Sequence, residues 1–189
     1  MDWGALPKPE DDGGSDHLVS MALPDIAVTS TTGRDIRLST LGGLGVLYAY
    51  PLNAAPGVAL PDGWDMIPGA RGCTQQSCAF RDHFQELKQL GVDWVYGLST
   101  QTTTYQHEAV NRLHLPFELL SDAEFHLCRG LRLPSFKAAG QRLMRRLTLV
   151  VRDGVIVKLH YPVFPPDEDA AWVLSWLVAY HAGLCDQNG

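Results

Sequence analysis

Leu44 to Tyr50 reads Leu-Gly-Val-Leu-Tyr-Ala-Tyr, an uncharged run that stops at Pro51. A segment apolar on both of its alternating faces has to be covered on both, as a buried strand of a parallel sheet is by helices. Whatever this chain folds into must therefore supply further strands beside it and helices above and below. The C-terminal end of such a strand is also where a site is expected.

The remaining sequence supplies those partners. Val92 to Ser99 is a second buried strand, Tyr105 to Leu113 a short helix, and Phe117 to Leu120 a third strand closed by Ser121-Asp122, a βαβαβ rhythm. Upstream, Asp25 to Thr29 and Ile36 to Leu38 flank the turn Thr32-Gly33-Arg34 as an early hairpin. Ala123 to Leu131 reads as another short helix, and Leu147 to Val151 with Val155 to His160 flank the hairpin signal Asp153-Gly154. Asp167 to His181, with Trp172, Leu174, Leu177 and Val178, closes the chain as an amphipathic helix. The class is α/β, without internal repeats.

A length of 189 residues and an apolar content of 46% fit one domain with a full core. Residues 1–17, with Pro7, Pro9, Glu10, Asp11, Asp12 and Gly13-Gly14, are too poor in apolar surface to order themselves and read as a flexible acidic tail ahead of a domain over 18–189. A net charge of −6 argues against nucleic acid. No apolar run reaches membrane-spanning length and the first residues do not resemble a signal peptide, so the expected setting is cytoplasmic. There, cysteines are more often catalytic or incidental than structural.

Two of the four cysteines stand together in Gly69-Ala70-Arg71-Gly72-Cys73-Thr74-Gln75-Gln76-Ser77-Cys78-Ala79-Phe80-Arg81-Asp82. Phe80, Phe84, Leu87 and Leu90 recur at helical spacing until Gly91, which puts Cys73 near a helix N-terminus. Unpaired N–H groups and the helix dipole favour a thiolate there. An ordinary thiol has a pKa of about 8.5, and lowering it to about 6 takes roughly 3.4 kcal/mol. A helix end supplies only about 0.3–2 kcal/mol. The rest needs a cation: Arg71, Arg81, or a distant arginine brought in by the fold.

Residues five apart on a helix have Cα atoms roughly 8–9 Å apart, beyond the roughly 7 Å that a disulfide spans. Cys73 and Cys78 cannot pair while the helix is intact; a bridge between them would require unwinding and would suit a transient catalytic bond. The spacing equally allows two unrelated cysteines, one buried as a small apolar residue. It matches no zinc pattern, and no metal or cofactor is expected. His83, His107, His114, His126, His160 and His181 are scattered and read as surface or packing residues, and Cys128 and Cys185 as incidental, with Cys185 able to form adventitious dimers. Arg81 lies about two turns beyond Cys73, open to a site role or to a surface pair with Asp82 or Glu86. Leu52 to Arg71 is a long Pro- and Gly-rich connection holding Trp64, Asp65 and Met66, a length usually reserved for function.

Gly72-Cys73-Thr74 through Cys78-Ala79-Phe80-Arg81-Asp82 resembles the active-site helix of peroxiredoxins of the bacterioferritin-comigratory or Q branch. Leu44 to Pro51, Gly97-Leu98-Ser99, Leu115-Pro116-Phe117 through Asp122, and Arg146-Leu147-Thr148 resemble further pieces of that family, and the likeness runs from about Ala22 to Leu177. It implies a thioredoxin-like fold, a central mixed β-sheet flanked by helices, and a thiol peroxidase acting on hydrogen peroxide and organic hydroperoxides. By the same resemblance Cys73 is the peroxidatic cysteine, Cys78 the resolving cysteine through an intrachain disulfide, and Arg146 the arginine that holds thiolate and peroxide. A thioredoxin-like dithiol is the implied reductant and a monomer or weak homodimer the implied state. The family pattern Pro-x-x-x-Thr-x-x-Cys would place proline at 66 and threonine at 70, where this chain has Met66 and Ala70. A group from the 52–71 connection, or the hydroxyl of Thr148 or Thr74, is expected to face Cys73 instead. The alternative is a redox-sensing or binding module of the same fold with little turnover.

Overall fold

The computed structural model describes residues 1–183. Its strands are β1 (Ala27–Ser30), β2 (Asp35–Arg37), β3 (Leu44–Ala49), β4 (Val92–Ser99), β5 (Leu119–Ser121), β6 (Ser135–Ala138), β7 (Gln141–Met144), β8 (Leu147–Arg152) and β9 (Val155–His160). The helices are α1 (Cys73–Asp82), α2 (Phe84–Gln89), α3 (Thr103–Leu113), α4 (His126–Leu131) and α5 (Asp169–His181). Seven strands form one sheet in the order β2-β1-β5-β4-β3-β8-β9, with β3–β4 and β4–β5 parallel and the other pairings antiparallel. This is the mixed, helix-flanked sheet of a thioredoxin-like fold.

The apolar run that opened the sequence is the middle of the sheet. Every residue of β3 is buried, and its side chains divide by alternation between two cores. Leu44, Val46 and Tyr48 face a core shared with Phe80, Leu87, Ala109, Val173 and Leu177, whereas Leu47 and Ala49 face one shared with Leu98, Leu127, Leu131 and Ile156. So α1, α2, α3 and α5 cover one face and α4 the other. Asp153 and Gly154 both take positive φ, 49° and 79°, as a tight turn between β8 and β9 requires.

Phe80 anchors the cysteine helix. Its ring is wholly buried and stacks on Tyr48 of β3, centroids 4.5 Å apart and planes within 11°. Phe80→Ala is expected to cost about 3–5 kcal/mol, the range for truncating a fully buried aromatic side chain. Urea unfolding should show this as a lower midpoint with unchanged slope.

Three features differ from the sequence reading. The single helix expected up to Gly91 is interrupted at His83, where φ −95° and ψ 7° leave helical geometry. The β6–β7 hairpin carries no strong strand signal; it forms because Phe136 and Leu143 pack with Trp64 and Ala70 of the 52–71 connection. Residues 1–17, expected to be a tail, lie along the body. Trp3 donates from Nε1 to Asp167 (2.9 Å) and meets Phe164 edge-on, Tyr161 donates to Asp12 (2.9 Å), and Ser15 is buried. The apolar surface this segment lacks is provided by residues 161–167.

Candidate active site

Cys73 is the first residue of α1, entered through Gly72 at φ 100°. A Cβ at position 72 would come within 2.5 Å of Pro166 and 2.8 Å of Trp3, so glycine is required both by the backbone and by the close approach. The Cys73 side chain is only 3% exposed. Nη2 of Arg146 lies 3.2 Å from its Sγ, the backbone N–H of Leu52 donates to the same sulfur at 3.4 Å, and Sγ lies 3.6 Å from the carbonyl of Ala70. Leu52 follows the end of β3, so the buried strand delivers a donor where a site was expected. The sulfur thus sits at the start of a helix between two donors, the Arg146 guanidinium and the Leu52 N–H, and one acceptor, the Ala70 carbonyl.

Arg146 precedes β8 and is 3% exposed. Its Nη2 also donates to the carbonyls of Arg71 (3.0 Å), Gly69 (3.3 Å) and Ala70 (3.4 Å), while Nη1 donates to Oε1 of Gln76. Gln76 in turn donates from Nε2 to the buried carboxylate of Asp169 (2.7 Å), which also accepts from Thr148 Oγ1 (2.6 Å). Above the sulfur lies an open pocket of about 190 Å³ lined by Leu52, Leu60, Trp64, Thr74, Gln75 and Met1 among others. It adjoins a larger groove of about 590 Å³ that shares Leu52, Ala54 and Leu60 and extends to Tyr105, Phe125 and Arg142.

The sequence profile of the redoxin family matches residues 18–174. The chain belongs to the redoxin family. Within it, the chain is similar to peroxiredoxins of the Q or bacterioferritin-comigratory branch. It is 30% identical to peroxiredoxin bcp1 of Schizosaccharomyces pombe over 74% of this chain and 65% of that protein. It is 26% identical to the chloroplastic peroxiredoxin Q of Arabidopsis thaliana over 84% of this chain and 66% of that one. The chain thus spans about two thirds of the length of these curated relatives. Among solved structures, peroxidoxin BcpB of Mycobacterium tuberculosis superposes with a TM-score of 0.69 at 24% identity, covering 85% of this chain and 96% of its own. Peroxiredoxin Q of Xanthomonas campestris gives 0.68 at 22%, covering 86% and 98%. These two show the same fold.

Of the three arginines considered for this redoxin, the distant one reaches the sulfur. Arg71 lines the pocket but makes a bidentate pair with Asp65, and its carbonyl accepts from Arg146. Arg81 pairs with Asp82 (2.8 Å), ties α1 to the Leu113 carbonyl (2.8 Å) and lies against the Cys78 thiol, not against Cys73. Cys73 and Cys78 are both free, the first buried and the second partly so, on one continuous helix. The donor expected from the 52–71 connection is present as a backbone N–H, that of Leu52, whereas the Thr148 hydroxyl is committed to Asp169. Ala70 is fully buried, packed in an apolar cluster with Trp64 and Leu143 and lining the pocket beside Cys73.

Sequence reasoning missed Gln76, Asp169 and His160. Gln76 lies three residues after Cys73, a spacing that places both on one helix face and could have drawn attention to it. Nothing local marks Asp169. His160, read as a surface or packing residue, pairs through Nδ1 with Asp169 (2.8 Å) and stacks on Trp172 (4.1 Å, 11°). Cys128 is 2% exposed, and burial, together with the nearby Asp122 carboxylate, pushes its thiol up to about 11. Iodoacetamide at neutral pH is therefore expected to leave Cys128 unmodified in the native protein and to label it after unfolding, as peptide mapping would show. Cys185 lies outside the described residues.

Proposed function

We propose that this redoxin is a thiol peroxidase in which Cys73 reduces hydrogen peroxide and organic hydroperoxides. The observation that carries the reading is the buried Arg146 guanidinium 3.2 Å from the Cys73 sulfur, beside a second donor on the same atom. The thiolate attacks one peroxide oxygen. The S–O bond forms as the O–O bond breaks, the sulfur is oxidised by two electrons to a sulfenic acid, and the other oxygen leaves as water or alcohol after taking up a proton. Arg146 stabilises both the thiolate and the charge that develops on the departing oxygen. Cys78 then attacks the sulfenic sulfur, an S–S bond forms and water leaves. A dithiol donor of the thioredoxin kind returns two electrons and restores both thiols.

Ala70 favours a second reading, a redox-sensing module with slow turnover, because position 70 offers no hydroxyl to help place the peroxide. The test is peroxide consumption by the reduced protein with thioredoxin, its reductase and NADPH, alongside stopped-flow oxidation of Cys73. A rate constant well above that of free cysteine supports the peroxidase; one no better than free cysteine replaces it with the sensor.

A further inference from the structure

Asp169 opens α5 with its side chain completely buried, and a carboxylate in that position needs donors around it. Three are supplied by three different elements. Gln76 of α1 and Thr148 of β8 donate to Oδ2, and His160 of β9 pairs with Oδ1. From β3, the Tyr48 phenol faces the same region and stays neutral because burial raises it well above its usual range, with the Asp169 charge adding to the effect. His160 is braced against Trp172, one turn further along α5.

The chemistry of the two ends determines how the middle must lie. A guanidinium only donates and a carboxylate only accepts, so the Gln76 amide between them must turn its carbonyl to Arg146 and its NH₂ to Asp169. The opposite orientation would set NH₂ against guanidinium and carbonyl against carboxylate. Nη1 and Nη2 of Arg146 belong to one rigid plane, so holding Nη1 on Gln76 also aims Nη2 at the Cys73 sulfur.

We propose that Asp169 is a positioning residue: it fixes the orientation of the Gln76 amide and, through it, holds the Arg146 guanidinium on Cys73, with His160 and Thr148 bracing the carboxylate. This rests on the peroxidase reading, in which Arg146 acts on the Cys73 sulfur.

An exchange of polarity along the relay tests it with near-isosteric variants. Gln76→Glu puts a second carboxylate against Asp169, and the pair must share a proton, so residue 76 no longer holds an acceptor of fixed orientation on Arg146; the peroxide rate constant is expected to fall about tenfold and the pH profile of Cys73 alkylation to move up by about one pH unit, the same factor of ten read on the proton equilibrium. Adding Asp169→Asn restores a donor opposite the new acceptor, and the double variant should recover at least half of that shift. In the unaltered protein the Gln76 side-chain amide protons should exchange with solvent far more slowly than those of an exposed glutamine. A double variant no better than Gln76→Glu, a Gln76→Glu protein indistinguishable from the parent, or fast amide exchange at Gln76 would each overturn the relay. Alkylation requires no peroxide, so it judges the relay even if the parent protein turns over none. A parent that consumes peroxide while the exchange shows no rescue sinks the relay alone.

Discussion

Arg146→Ala is expected to slow the reaction of Cys73 with peroxide by about 10²–10³-fold, the usual loss when one preorganised donor is removed from a buried charge-stabilising site. The guanidinium is the cation that touches the sulfur, and it is only 3% exposed. What remains is the Leu52 N–H and the start of α1, and a helix end contributes only about 0.3–2 kcal/mol. The pH profile of Cys73 alkylation should move upward in the same variant, because the thiolate loses its counter-charge. Stability should fall as well: Gln76 and the carbonyls of Gly69, Ala70 and Arg71 lose a donor, at about 1–3 kcal/mol for each buried acceptor left unpaired. Arg146→Lys keeps the charge but cannot reach Gln76 and the sulfur from one plane, so its rate should lie between. An unchanged alkylation profile in Arg146→Ala would remove this residue from the site and return attention to Arg71.

Oxidation is expected to join Cys73 to Cys78 within one chain and to unwind the first part of α1. Their separation of five residues on a regular helix exceeds disulfide reach by more than about an ångström, and bond-angle strain rises too steeply to absorb it. Local unwinding costs a few backbone hydrogen bonds at about 0.5–1.5 kcal/mol each. The structure shows where it should stop: Phe80 is wholly buried against Tyr48, so amide protection should be lost from about Arg71 to Ala79 and kept beyond Phe80. Cys78→Ser should then halt at the sulfenic acid and over-oxidise more readily. Cys128, buried and with a thiol pushed up to about 11, is not available as a substitute partner. Non-reducing peptide mapping and amide exchange of the peroxide-treated protein decide the matter. A bridge on another pair, or a Cys73–Cys78 bridge with exchange unchanged, would show the geometric argument to be wrong.

Both results depend on features that differ in how visible they were beforehand. The run Leu44–Tyr50, the turn at Asp153-Gly154 and the spacing of Cys73 and Cys78 are local patterns, and local patterns determine which segments become strands, turns and helices. Those readings of the strands held to within two residues at most ends. The chain therefore carried in its own order the buried strand, the helix that starts at a cysteine and the distance that keeps two thiols apart. What its local patterns did not carry is which distant groups meet: Arg146 was named by the family resemblance alone, and Asp169 by nothing. Arg146 reaches Cys73 across 73 positions and Asp169 reaches Gln76 across 93. No periodicity reports such a meeting, because it depends on the order in which β3 and β8 pair and on how α5 packs over them. The β6–β7 hairpin, the docking of residues 1–17 and the apolar cluster around Ala70 belong to the same class. Each is stabilised by surface that another part of the chain provides, so only the assembled tertiary structure could decide it.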